Sequence, residues 1–166
     1  MNNRISFGLN GHKVTTEVPS NLTLLELLRD RMGLKSPKCG CDRGDCGTCT
    51  VMIDGQTVRS CLVLGVEIDG HQVTTLEGLM TAGLTPLQQA FVERSAFQCG
   101  FCAPGMVLSV AELLGKNPHP TEHDVKEAIA GNLCRCTGYH PILEAVMKHV
   151  RDTRGEEVPV KEGSAR

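Results

Sequence analysis

The cysteines constrain this chain more than any other feature. There are nine in 166 residues, against four phenylalanines, one tyrosine and no tryptophan. So few aromatics leave only small aliphatic cores, and nine thiols offer another means of holding them together. The amino terminus, Met1 to Asn10, shows no apolar signal-like stretch, no twin arginine and no cleavage site, which predicts a cytoplasmic protein. Stable disulfides are rare there, and an odd count argues against a closed disulfide framework. Metal ligation is the leading expectation.

The first group, Cys39-Gly40-Cys41-Asp42-Arg43-Gly44-Asp45-Cys46-Gly47-Thr48-Cys49, contains the pattern C-x4-C-x2-C, with Cys61 downstream. Three clustered thiolates and one distant thiolate are the arrangement of a plant-type [2Fe–2S] centre. The expected ligands are Cys41, Cys46, Cys49 and Cys61. Gly40, Gly44 and Gly47 allow the loop to pass close to a cluster and to aim N–H groups at its sulfurs. A zinc knuckle competes, although zinc usually takes C-x2-C pairs. Cys39 is the spare thiol, because choosing it would lengthen x4 to x6.

The second group is Cys99-Gly100-Phe101-Cys102 with Cys134-Arg135-Cys136. Its setting is helical. Thr85-Pro86 opens one helix, with Leu87, Ala90, Phe91 and Phe97 on one face. Pro104 opens a second, Thr121 caps a third and Pro141 opens a fourth. In an up-down-up-down arrangement, the links between helices one and two and between three and four lie at the same end. The four thiols then meet at one pole, where two helix N-termini favour an anionic centre. A [2Fe–2S] cluster and tetrahedral zinc both suit this set, and disulfides are the remaining alternative.

The first half reads differently. Arg4–Asn10 and Lys13–Val18 form a predicted hairpin, Thr23 caps a helix over Leu24–Met32, and Asp54-Gly55 turns a second hairpin between Thr50–Ile53 and Thr57–Arg59. Strands are also predicted over Leu62–Val66 and Gln72–Thr75. The period changes near residues 76–84. After Thr153 the tail is rich in glycine and charge, and is expected to be mobile or ordered by a partner. A net charge of −2 disfavours nucleic acid as a partner. No apolar run reaches the length of about 18 residues needed for a membrane span. There is no dinucleotide fingerprint and no phosphate loop, and the six histidines are scattered. No catalytic residue is expected.

Two stretches resemble a known family. Gln98-Cys99-Gly100-Phe101-Cys102-Ala103-Pro104-Gly105-Met106 and Gly131-Asn132-Leu133-Cys134-Arg135-Cys136-Thr137-Gly138-Tyr139 look like the signature of the small iron–sulfur subunit of the xanthine oxidase family of molybdenum hydroxylases. The resemblance extends back through Cys41–Val51 and Cys61. It implies an α+β chain, with a plant-ferredoxin-like β-grasp domain over 1–78, a four-helix bundle over 79–153 and a tail over 154–166. It also implies two [2Fe–2S] clusters, the second held by Cys99, Cys102, Cys134 and Cys136. A large subunit would carry the molybdopterin cofactor close to Gln98 and Cys136. A medium subunit would carry FAD, in a dimer of heterotrimers. Ala103 departs from a frequent family threonine, and Cys39 is uncommon at its position. The rival readings are a free-standing two-cluster ferredoxin and a structural zinc protein.

Overall fold

A computed structural model describes residues 2–80 and 83–155. The expected tail therefore lies, from residue 156 onward, outside the described residues. β1 (Asn2–Leu9) and β2 (His12–Pro19) pair antiparallel. Asn10 and Gly11 turn between them with φ of 52° and 85°, the positive pair that suits strand twist in a two-residue hairpin. β3 (Thr50–Ile53) and β4 (Gln56–Arg59) form a second hairpin through Asp54 and Gly55. β5 (Gln72–Thr74) joins the hairpins, parallel to β1 and antiparallel to β3. The sheet order is β2-β1-β5-β3-β4.

The alternation along β1 places Ile5, Phe7 and Leu9 in the core. Helix α1 (Leu24–Glu26) begins with a Thr23/Glu26 capping box. It continues as a wider π-helical turn over Leu27–Arg31, closed by the Met32 N–H on the Leu27 carbonyl at 3.0 Å. The single helix expected over Leu24–Met32 is thus wound in two ways. Leu24, Leu27 and Leu28 pack on the sheet, while Leu25 clusters with Cys49 and Cys61. α1 therefore links the sheet core to the first cysteine group.

The strand expected over Leu62–Val66 does not form. Two 3-10 turns, Ser60–Leu62 and Gly65–Ile68, occupy the segment, with one isolated bridge between Thr23 and Leu64. Its backbone bonds go to the approach to α1: the Leu24 N–H donates to the Val63 carbonyl at 2.8 Å and the Gly65 N–H to the Leu22 carbonyl at 2.7 Å. Leu62 and Leu64 are left exposed.

The second half carries α2 (Pro86–Glu93), α3 (Ala103–Lys116), α4 (Glu122–Ile129) and α5 (His140–Arg154). Capping boxes at Thr85/Gln88 and Thr121/Asp124 start α2 and α4 as the sequence suggests. Phe91, Met106, Val110, Val125, Ile142 and Val146 share one core. Phe97 does not join the α2 face. The chain leaves the helix at Arg94 and turns at Ser95, which has a φ of 49°, leaving Phe97 part-exposed. The halves touch where the Glu112 carboxylate of α3 accepts from the Thr57 N–H of β4 at 3.0 Å. No helix among the described residues is long and apolar enough to cross a membrane.

Truncating Phe91, which is 1% exposed, to alanine is expected to destabilise the chain by about 3–5 kcal/mol. Thr121→Ala, which removes only a cap, costs about 1 kcal/mol. Urea midpoints measure both, and equal shifts for the two variants would contradict this packing.

Candidate metal centres

The first cysteine loop runs without helix or strand from residue 35 to residue 49. Its neck is fastened on itself. The Lys38 N–H donates to the Thr48 carbonyl at 3.0 Å, and the Thr48 hydroxyl donates to the Lys38 carbonyl at 3.0 Å. The Glu77 carboxylate, just after β5, accepts from the N–H groups of Lys35 and Ser36. Arg29 of the π-helical turn donates to the Pro37 carbonyl. The first end of the loop is thus anchored by Arg29 and Glu77, and the second end is tied to the first through Thr48 and Lys38.

Within the loop the sulfurs approach in pairs. The Cys49 and Cys61 sulfurs are 3.4 Å apart and buried. The Cys46 N–H donates to the Cys41 sulfur at 3.4 Å. Thr48 Oγ1 lies 3.2 Å from the Cys46 sulfur. The three glycines flank these sulfurs. A Cβ on Gly40 would come within 2.9 Å of the Cys46 sulfur, and one on Gly44, where φ is 88°, within 2.5 Å of Leu62. Gly47, also at positive φ, stands where the loop meets the second group. Cys39 is exposed and belongs to neither pair.

The second group assembles from two links. Cys102 directly precedes α3, and the chain from Cys134 to Cys136 leads into α5. The Cys99 and Cys136 sulfurs are 3.6 Å apart. The Cys102 and Cys134 thiols also interact, and this contact raises one and lowers the other. Tyr139 precedes α5 with a φ of 68°, and its hydroxyl folds back onto the loop, accepting from the Cys134 N–H at 3.0 Å. The Thr137 hydroxyl lies 3.1 Å from the Cys134 sulfur. Cys99, Phe101, Cys102, Leu133, Cys134 and Cys136 line a shallow cavity of about 190 Å³. Gln98 and Cys136 are both exposed at this end.

The electrostatics divide each group. Backbone N–H groups, that of Arg43 foremost, hold the Cys41 thiol down at about 7. Burial pushes Cys61 up to about 12, reinforced by the neighbouring Cys49 sulfur. Burial likewise pushes Cys102 up to about 12. The Phe101 N–H lowers Cys99, whereas the hydrogen bond with Cys99 raises Cys136. Among the described residues no three His, Cys, Asp or Glu side chains gather around a single point as one ion would require. Pairs of thiols are the donor set that a two-iron centre takes, two for each iron.

The sequence names four-plus-four thiols as expected ligands but not the groups that hydrogen-bond around them. Thr48, Thr137 and the Tyr139 hydroxyl carry no signal outside the motifs that contain them. Arg43 and Asp45, between Cys41 and Cys46, form an exposed ion pair at 2.6 Å.

The thiolate is the nucleophile, so in the metal-free chain Cys41 is expected to alkylate first, with a rate that rises through pH 7. Cys61 and Cys102 should stay protected until strongly alkaline pH, because burial holds them as neutral thiols. Mass spectrometry of timed iodoacetamide labelling reads the order, and early modification of Cys61 would contradict it.

Two family models cover almost all of this architecture. "2Fe-2S iron-sulfur cluster binding domain" matches residues 7–80, and "[2Fe-2S] binding domain" matches residues 75–147. The small subunit of nicotine 6-hydroxylase from Paenarthrobacter nicotinovorans is 48% identical over 86% of this chain and 87% of its own. The small FeS subunit of nicotinate dehydrogenase from Eubacterium barkeri is 46% identical over 86% of this chain and 91% of its own. A chain of quinoline 2-oxidoreductase from Pseudomonas putida superimposes with a TM-score of 0.87 at 41% identity, covering 94% of this chain and 99% of that one. Long, near end-to-end similarity of this kind, on a fold that pairs its thiols at two centres, places the chain in the family of small iron–sulfur subunits of xanthine oxidase-type molybdenum hydroxylases.

Proposed function

We propose that this chain relays electrons within a heteromeric molybdenum hydroxylase and turns over no substrate itself. The observation that carries the reading is the pairing of sulfurs at 3.4 Å for Cys49 and Cys61 and 3.6 Å for Cys99 and Cys136. Cys41, Cys46, Cys49 and Cys61 would hold one cluster within a β-grasp domain spanning 1–78. Cys99, Cys102, Cys134 and Cys136 would hold the other at the pole of a four-helix bundle spanning 79–153. Bound there, [2Fe–2S] clusters would supply one-electron stepping stones with little change of geometry. The chain's own task is to fix position and direct N–H groups at sulfur.

The two poles suit different neighbours. At the second centre Gln98 and Cys136 are exposed beside Phe101, 44% exposed, and Leu133, 54% exposed. Two exposed apolar side chains on this rim, with the exposed Arg135 between Cys134 and Cys136, suit a protein partner better than water. We assign it to a large subunit carrying the molybdopterin cofactor, where an aldehyde or N-heterocycle would be oxidised. This rim favours the subunit reading over a free-standing carrier. The first centre, with Leu62 63% exposed beside it, would face a medium subunit that carries FAD. A dimer of such heterotrimers in the cytoplasm, where thiols stay reduced, completes the proposal.

In the assembled complex, Cys49→Ser should remove the first centre while substrate still reduces molybdenum and the second centre. Stopped-flow spectroscopy would then show electrons stalling before the external acceptor. Acceptor reduction at the wild-type rate would contradict the proposed order. On native sizing, the chain is expected to travel with larger polypeptides, and a lone monomer bearing both clusters would point to the free-standing carrier instead.

A further inference from the structure

Between the two centres lies a buried carboxamide. Asn132 is 1% exposed and precedes Cys134 by two residues. Its Oδ1 accepts from the Ser109 hydroxyl of α3 at 3.1 Å and from Arg59 Nη2 at 3.4 Å. Its Nδ2 donates to the Gly47 carbonyl at 3.3 Å and to Thr50 Oγ1 at 3.4 Å. Arg59 completes the frame, donating to Thr50 Oγ1 at 2.6 Å and to the Gly131 carbonyl at 2.7 Å. The amide is used at both ends, and its orientation follows. Arginine can only donate and a carbonyl can only accept, so a flipped amide would lose both partners.

The neighbouring backbone is fitted to this group. The Leu133 N–H donates to the Cys46 carbonyl at 2.9 Å, joining a residue beside Cys134 to Cys46 itself. A Cβ on Gly47 would lie 2.4 Å from the Gly131 carbonyl oxygen. One on Gly105 would lie 2.4 Å from the Gly47 carbonyl oxygen and 2.6 Å from Asn132 Nδ2. The loops meet with no room for a methyl group between them.

We propose that Asn132 is a positioning residue: held by Arg59 and Ser109, it clasps the first cysteine loop to the second and sets the separation of the two centres. The inference rests on the two-cluster reading above. Its physical basis is that transfer between fixed centres depends steeply on their gap. A satisfied buried polar network holds a geometry more rigidly than apolar contacts can. The contact between Thr57 and Glu112 also joins the halves, but away from both cysteine loops. The loops themselves meet at the Asn132 clasp, at the Leu133–Cys46 backbone hydrogen bond beside it, and where the Lys38 ammonium lies 5.7 Å from the Phe101 ring centroid.

The test uses the intact complex, reduced anaerobically, with Asn132→Ala, Asn132→Asp and Ser109→Ala. The readout is the mutual magnetic interaction of the two reduced centres, taken from low-temperature EPR line shape and spin relaxation. In both Asn132 variants, iron content and the individual signals should persist while the single defined interaction is lost to a broad distribution, and transfer between the centres slows. Asn132→Asp keeps acceptors for Arg59 and Ser109 but loses the donors to Gly47 of the first loop and to Thr50 at the start of β3. It should therefore behave as the alanine variant, whereas a purely structural role supported through Arg59 would leave it like wild type. Where Asn132→Ala fails to load the second centre, Ser109→Ala, which removes one support of the amide, decides by the same broadening. Fully loaded variants with the wild-type interaction overturn the clasp. A wild-type complex with fewer than two paramagnetic centres overturns the two-cluster reading, and the clasp with it.

Discussion

Two thiolates 3.4 Å apart repel one another. At an effective dielectric of about 20, two full charges at the Cys49–Cys61 separation would cost on the order of 5 kcal/mol. A chain that gathers its sulfurs in such pairs must keep some of them protonated or place cations among them. Cys61 and Cys102, both raised to about 12 by burial, show the first solution. Iron would supply the second and would displace those protons as it bound. The rest of the structure serves this convergence. The sheet and α1 brace one loop, the ends of α3 and α5 brace the other, and the two loops abut.

The order of elements makes the convergence possible. β5 closes the sheet between two hairpins, and the segment after it returns Glu77 to the neck of the first loop. Leu25 faces away from the sheet core and onto Cys49 and Cys61. In the second half, Cys99 lies in the link between α2 and α3 and Cys136 in the link between α4 and α5, and helices sharing one core hold these links together, with the two sulfurs 3.6 Å apart. Neither group of thiols assembles from local sequence alone: Cys61 and Cys134 both come from distant segments.

Much of this was legible in the sequence, because local chemistry decides it. Asp54-Gly55, Thr85-Pro86 and Thr121 act through their own backbone conformations and neighbours, and each appears where expected. Leu62–Val66 misled for the opposite reason. Its apolar residues suit a strand, but no sheet neighbour offers a ladder, so its backbone bonds to the approach to α1 instead. Spacing singled out eight of nine thiols, since ligand geometry restricts it. Asn132 carried no such sign, because its four partners come from three separate segments, at residues 47–50, 59 and 109.

The central claim is that eight thiols form two separate quartets, each holding a pair of irons. Mössbauer spectroscopy of the iron-57-enriched protein, before and after one-electron reduction of each centre, tests it most directly. The account predicts about four irons per chain, all in spin-coupled pairs when oxidised, with one localised ferrous site appearing in each pair on reduction. Iron confined to one pair, or sites filled by a spectroscopically silent metal, would contradict it.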